Sequence, residues 1–332
     1  MDRRRFLMAS STALGGLMLT PHLRAAGRRP LLRLAGPWAS VSYPLAWMSA
    51  RPGFAALAER IEFVAWRSPD ELRLIALEGR ADFVALPSNV AANLYNRGVT
   101  LRLQCISAWG LLYLVSRQPR ITRLSELGEA ELGLPFRGDM PEIVLSQLAQ
   151  AQGLDPRRDL RLSYLASPLD AVQMLLTRRL DHALLSEPVA SMALARSRSG
   201  ALSLIAPELH RALDLQQAWA DAGLGPARLP QAGIAALGAA AGDSALCAAF
   251  AEAHARALDE CLAAPEDCGA LIAELSKRLD ASAVAESLPH SRLQAMPAAE
   301  ARPELEAFFH RLLAQQPGLL GGRLPDARFY AA

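Results

Sequence analysis

Two hydrophobic periods alternate along this chain of 332 residues. Short unbroken apolar runs mark strands buried on both faces, and stretches with apolar positions three and four apart mark amphipathic helices. The clearest instance lies at residues 68–91. Ser68-Pro69 starts a helix, with the hydroxyl as cap and proline in the first turn, and Glu71 stands at the capping-box position. Leu72, Ile75, Ala76 and Leu77 form its apolar face, and Gly79 ends it. Residues 83–86 then read as a buried strand, Pro87-Ser88-Asn89 breaks it, and residues 90–94 open another helix. The unit returns 99 residues on, at 167–190, with identities at Ser68/Ser167, Pro69/Pro168, Leu77/Leu176, Arg80/Arg179, Asp82/Asp181, Val90/Val189 and Ala91/Ala190. The matches fall on the helix cap, the aspartate before the strand and the start of the next helix. A period near one hundred residues predicts two similar lobes, not a solenoid.

The rest of the pattern fits that division. Strands are predicted at 31–35, 61–66, 83–86 and 101–106, followed by an apolar run at 111–116. After a connector helix at 121–127 the chain starts afresh, with strands at 131–135, 161–166, 183–185 and 202–205 and helices at 141–153 and 168–177. Residues 207–230 read as irregular, and 234–237 as a return strand. Helical spacing then covers 244–263, 267–279 and 302–315, before a closing loop at 319–326 and a Phe329-Tyr330 tail. Alternating strands and helices imply parallel βαβ units. The expected architecture is α/β and two-lobed: residues 27–114 and 232–332 form a discontinuous first lobe and 115–231 the second. Each lobe is a mostly parallel sheet flanked by helices, and the chain crosses between them near 111–118 and 231–238.

Composition adds three constraints. At 52% hydrophobic and 20% charged residues the chain is globular. Residues 1–26 carry a twin arginine within Arg3-Arg4-Arg5, then a short apolar run and Ala25-Ala26, which read as a cleavable export signal of the twin-arginine type. The mature chain is therefore expected in the periplasm. Without that segment the chain holds 31 basic and 32 acidic residues, so there is no electrostatic case for nucleic acid. No metal-ligand spacing, P-loop, GxGxxG or GxSxG occurs, and neither cofactor nor catalysis is expected. Of the four cysteines, Cys261 and Cys268 flank a short turn between two helices, and a disulfide between them is expected in an exported chain.

In an open parallel sheet, ligands bind beyond the carboxyl ends of the strands. Applied strand by strand, that rule selects Trp38, Ser40, Ser42 and Tyr43, then Trp66 and Arg67, Ser88 and Asn89, and Trp109 in the first lobe. In the second lobe it selects Phe136, Arg137 and Asp139, and Glu187, with Ser167 at a strand end as a helix cap. Three of the five tryptophans stand on these loops, which suits a cleft with aromatic walls and a few polar groups. Serines 88 and 167 also serve as helix caps, and a carboxylate at a helix N-terminus, as at Glu187, is favourable without any ligand.

These loops carry a family resemblance. With "GRADFVALPSNVAANLYNRG", "EPVASMAL", the closing "GGRLPDARFY" and the short signal, the chain resembles the periplasmic substrate-binding proteins of the nitrate/sulfonate/taurine ABC-transporter group. That group is related to proteins binding thiamine-pyrimidine precursors. The resemblance implies a type II-like binding protein with a ligand between two hinged lobes. It also implies a monomer that is not an enzyme and that delivers its solute to a membrane permease and ATPase. Asp139 and Glu187 in the expected cleft depart from anion-binding relatives. They point to an aromatic or amine-bearing solute, with Arg67 or Arg137 holding any acidic group, such as a sulfonate. A periplasmic sensor or adaptor, or a pyrimidine-biosynthesis-type enzyme, are the other readings of this fold.

Overall fold

The computed structural model describes residues 29–199 and 208–331. The expected export signal and the strand expected at 202–205 lie outside the described residues. The repeat is present in three dimensions. In the first lobe β1 (Leu31–Pro37), α1 (Tyr43–Ala50), β2 (Arg60–Trp66), α2 (Pro69–Glu78), β3 (Phe83–Pro87) and α3 (Ser88–Asn96) follow one another. In the second, β6 (Glu131–Pro135), α4 (Met140–Ala151), β7 (Arg161–Leu165), α5 (Pro168–Leu176), β8 (His182–Ser186) and α6 (Val189–Ser197) repeat the order. The serine caps explain the matching helix starts: Ser68 Oγ accepts from Glu71 N and Ser167 Oγ from Asp170 N, both at 3.2 Å. Gly79 ends α2 in the left-handed conformation, at φ 63°. Leu72, Ile75 and Ala76 are buried beneath α2, whereas Leu77, expected on the same face, points to solvent.

Both sheets are mixed, where mostly parallel ones were expected. The first runs β11-β4-β10-β3-β1-β2 and the second β7-β6-β8-β5-β9. β1 pairs in parallel with β2 and β3, and β6 with β7 and β8. The antiparallel members enter at the crossings. β4 (Leu101–Ala108) ends the first passage through lobe one, and the chain crosses at 109–111 into β5 (Leu112–Ser116), which pairs antiparallel with β8. Residues 112–114 thus belong with the second sheet, a few positions ahead of the boundary read from the sequence. The stretch 207–230 is not irregular. It holds β9 (His210–Asp214) and α7 (Leu215–Asp221) before the chain returns as β10 (Ala232–Leu237), antiparallel to both β3 and β4. With three charged or polar residues in five, β9 lacks the apolar run that marks its neighbours. The connector expected as a helix at 121–127 is a single 3-10 turn at Leu124–Leu127.

Two glutamines lock the crossings together. Gln231 N donates to Ala108 O at 3.1 Å and its Oε1 accepts from Leu111 N at 3.0 Å. Gln216 Oε1 accepts from Leu112 N at 3.1 Å, while its Nε2 donates to Leu112 O and Asp214 Oδ1. These amides satisfy backbone groups that neither sheet can reach.

After the short α8 (Gly238–Gly242), the C-terminal part consists of α9 (Ser244–Ala263), α10 (Pro265–Ser276), α11 (Ala281–Ser287), edge strand β11 (Leu293–Pro297) and α12 (Ala298–Gln315). Most of it packs on lobe one, and the tail adds a bridge from Tyr330 to Leu103. α11 packs on both α10 and α6, so it clasps lobe two as well. Ion pairs Arg196–Asp280, Arg211–Glu286, Arg228–Glu304 and Arg292–Asp214 join the C-terminal part to lobe two. The disulfide expected between Cys261 and Cys268 is not formed. Both are buried free thiols, hydrogen-bonded to each other across the α9–α10 junction, and that contact together with burial drives the Cys261 pKa up.

The tightest approach is between β10 and β4. A Cβ at Gly233 would stand 2.0 Å from Cys105 O, a backbone atom that cannot move without breaking the ladder. Gly233→Ala is expected to destabilise the protein by about 1–3 kcal/mol or more in urea unfolding. Gly53→Ala, where a Cβ meets open space, should shift the midpoint little.

Candidate ligand-binding cleft

The parallel registers bring the strand ends of each lobe level. β1 and β2 finish together at Pro37↔Trp66, and β6 and β7 at Pro135↔Leu165. Between these two rims lies a cleft of about 270 Å³, the size of a small organic molecule. Lobe one contributes Trp38 and Val41 after β1, Trp66 and Arg67 after β2, and Leu86 with Pro87 from β3. Lobe two contributes Phe136, Asp139 and Met140 after β6, Ser167 to Leu169 at the head of α5, and Leu184 and Ser186 from β8. The crossings supply Leu111, Leu112 and Gln231, and the loop after α10 supplies Arg278 and Leu279.

The walls are apolar and held in place from behind. Trp66 Nε1 donates to Ala85 O at 3.2 Å, so its ring is fixed with no polar atom left over. Trp38 packs edge-on against Phe63 with centroids 5.3 Å apart. Phe136 takes a left-handed backbone, at φ 57°, a conformation that non-glycine residues adopt at a cost and that concentrates at functional sites.

Polar groups in this lining are few. Arg67 and Arg278 are exposed at the mouth. Ser167 is engaged as a cap and donates to Asp170 Oδ2 at 2.8 Å. Asp139, half-buried, occupies the N-cap position of α4 without capping it. Burial raises its carboxyl pKa above the ordinary aspartate value, against the opposing pull of the Met140 N–H and of Arg73 across the cleft. Gln231, only 2% exposed, uses its Oε1 on Leu111 and leaves Nε2 without a partner.

Five of the thirteen residues selected from sequence therefore line the cleft: Trp38, Trp66, Arg67, Phe136 and Asp139. The other eight do not. Ser40 and Ser42 are buried in the 3-10 turn after β1 with hydroxyls unpartnered, and Asn89 is buried with Oδ1 unpartnered. Tyr43 opens α1 and is buried, with its hydroxyl 3.3 Å from Ser287 Oγ. Ser88 ties α3 to the second crossing by donating to Pro230 O at 2.6 Å. Trp109 is a hinge packer: Nε1 donates to Gln294 O at 3.1 Å and Arg228 stacks on its ring. Arg137 points outward and stacks on Tyr164.

Glu187 is fully buried and committed elsewhere. Its carboxylate accepts from Arg211 Nε at 2.8 Å, Ser191 N at 3.0 Å and Ser191 Oγ at 2.8 Å. The partner cation stands on β9, inside the stretch whose pattern carries no strand signal, so the pair was not legible from sequence. Gln231 and Arg278 were missed as well. The signal for Gln231 was its position immediately ahead of the return strand.

No protein-family profile and no curated protein sequence matches the chain. Solved structures do match it. An ABC transporter structure from Parabacteroides distasonis superposes with TM-score 0.75 at 22% identity, over 91% of this chain and 99% of that one. The periplasmic aliphatic sulphonate binding protein SsuA from Escherichia coli gives TM-score 0.64 at 16% identity, over 89% and 92% of the two chains. The periplasmic nitrate-binding protein NrtA from Synechocystis PCC 6803 gives TM-score 0.60 at 12% identity, over 78% and 69%. The fold is thus that of the two-lobed periplasmic binding proteins.

Two substitutions separate the roles of the carboxylates. Glu187→Ala leaves the Arg211 guanidinium without its buried partner and should cost about 3–5 kcal/mol in urea unfolding. Asp139→Asn should act in the opposite sense. The raised folded-state pKa means that ionised Asp139 opposes folding above that pKa and does so no longer once both states are protonated. The variant is therefore expected to melt higher than the parent at neutral pH, with the gap closing as pH falls through the raised pKa and gone below about 4.

Proposed function

We propose that the chain is the exported solute-binding component of an ABC importer. In this reading its two lobes close on a small organic solute and deliver it to a membrane permease driven by an ATPase. The observation that carries the reading is the cleft itself. It lies at the carboxyl ends of both half-sheets, and only two chain crossings span it on one side, the arrangement that permits hinge closure. The likeness to ABC-import binding proteins supports the same role. Among the described residues no helix is long and apolar enough to cross a membrane.

A non-enzymatic role agrees with the chemistry of the titratable groups. Cys105 Sγ and His254 Nδ1 lie 3.9 Å apart, a pairing that elsewhere activates a nucleophile. Here burial pushes the thiol up to about 12 and the imidazole down to about 4, so both are neutral at physiological pH. The solute we favour is aromatic or amine-bearing. The names of the sulphonate- and nitrate-binding neighbours concern anions, whereas the cleft here is walled by tryptophan, phenylalanine, leucine and proline, with a carboxylate among them.

A thermal-shift screen of residues 27–332 tests the reading, using small anions, sulfonates, amino acids, pyrimidines and aromatic amines. A true ligand at one hundred times its dissociation constant stabilises the folded state by about 2.7 kcal/mol, a shift of degrees. A concentration-dependent shift with at least one class is expected. Flat melting curves across every class at millimolar concentration would count against a solute receptor.

A further inference from the structure

Building on the solute-receptor reading, we infer that the solute is a cationic amine on a compact apolar or aromatic body. Its ammonium group sits on Asp139 and an acceptor atom sits on Gln231 Nε2. Two independent observations meet in one cavity. Asp139 is a half-buried carboxylate in the cleft lining, with the N–H of Met140 beside it, and it caps nothing. Gln231 is almost wholly buried, its Oε1 is occupied, and its Nε2 donor has no partner at the cleft wall. Buried polar groups without partners are rare in native proteins, because each loses its hydration and gains nothing. One molecule that presents a donor cation to the carboxylate and an acceptor to Nε2 gives Asp139 a counter-charge and Gln231 its missing partner.

The charges around Asp139 give the sign. Arg73, from α2 across the cleft, acts on it, but that guanidinium already holds Asp70 at 2.7 Å. Glu142, on Asp139's own helix, is occupied by Tyr164 and by the Gly138 N–H. Arg67 and Arg278 are at the mouth and exposed, where water and salt screen their pull on an anion. An anionic headgroup inside the cleft would face the Asp139 carboxylate across apolar walls. An ammonium group there gains a charge-assisted hydrogen bond and the aromatic faces of Trp38, Trp66 and Phe136.

The test is calorimetric titration of residues 27–332 with 2-phenylethylamine, 2-phenylethanol and 2-phenylethanesulfonate, which share one body and differ in the headgroup. The amine is expected to bind roughly ten-fold or more tightly than the alcohol, the size of a buried charged hydrogen bond. Asp139→Asn, which should fold at least as well as the parent, is expected to abolish that preference. Lowering the pH through the raised Asp139 pKa should weaken the amine and spare the alcohol. Equal or tighter binding of the sulfonate or the alcohol would overturn the inference, as would unchanged amine binding by Asp139→Asn or no measurable binding of the amine. A sulfonate preference would leave the receptor reading standing, since only a silent broad screen counts against that.

Discussion

The structure depends on how two passing strands of chain are held where they cross between lobes. At that point neither sheet can satisfy the backbone, since β4 has ended and β5 has only begun. Gln231, on the second crossing, holds the first at two points, donating its own N–H to Ala108 O and accepting from Leu111 N with its side-chain oxygen. Gln216 does the same for Leu112 from the second lobe. An amide is the side chain suited to such a place, because it carries a donor and an acceptor without a charge to desolvate. Everything else is arranged around this joint. Each lobe receives its antiparallel strand from the chain arriving out of the other, so the two sheets cannot form independently of the crossings.

The charged residues divide into two populations with different work. Glu187 and Arg211 are buried together, and the pair is strong because Ser191 satisfies further lone pairs and the Tyr113 ring covers the guanidinium. Such a pair contributes little over an apolar substitute, but it penalises any packing that separates its members. It therefore specifies how β8, β9 and α6 fit together. The remaining interlobe pairs, such as Arg196–Asp280, are exposed and individually weak. Asp280 follows directly on Arg278 and Leu279, which face the cleft. The clasp and the cleft wall are therefore neighbours on one loop.

Much of the fold was legible in the sequence because the repeat is written in local signals. Ser-Pro caps, the left-handed Gly79 and the unbroken run at β3 depend on contacts within a few residues, and each appears as read. The mixed sheets were not legible, since strand direction is decided by partners far along the chain. β9 and β11 were missed for a related reason. They are short, partly exposed edge strands, so burial imposes no clear period on them. The site shows the same division. Residues directly beyond a strand end, such as Trp38, Trp66 and Phe136, could be placed by topology alone. Glu187 could not, because its role depends on an arginine that long-range folding brings to it. Gln231 was hidden because its importance comes from what it leaves unbonded.

That unbonded donor bears on how a solute could act on the whole molecule. A ligand shifts a hinge only to the extent that it binds one arrangement of the lobes better than another. In this cleft the walls come from both lobes, with Trp38 and Trp66 on one side and Asp139 and Phe136 on the other, so a solute in the proposed role touches both. Gln231 adds a second route. The side chain that clamps Leu111 across the crossings also belongs to the cleft lining and leaves its buried Nε2 without a partner. A solute that accepts from Nε2 orients the amide and so strengthens the grip of Oε1 on the crossing. Occupancy and hinge order are thereby joined in a single side chain. The unpartnered donor of Gln231 thus stands where a solute in the proposed role and the joint between the lobes would meet.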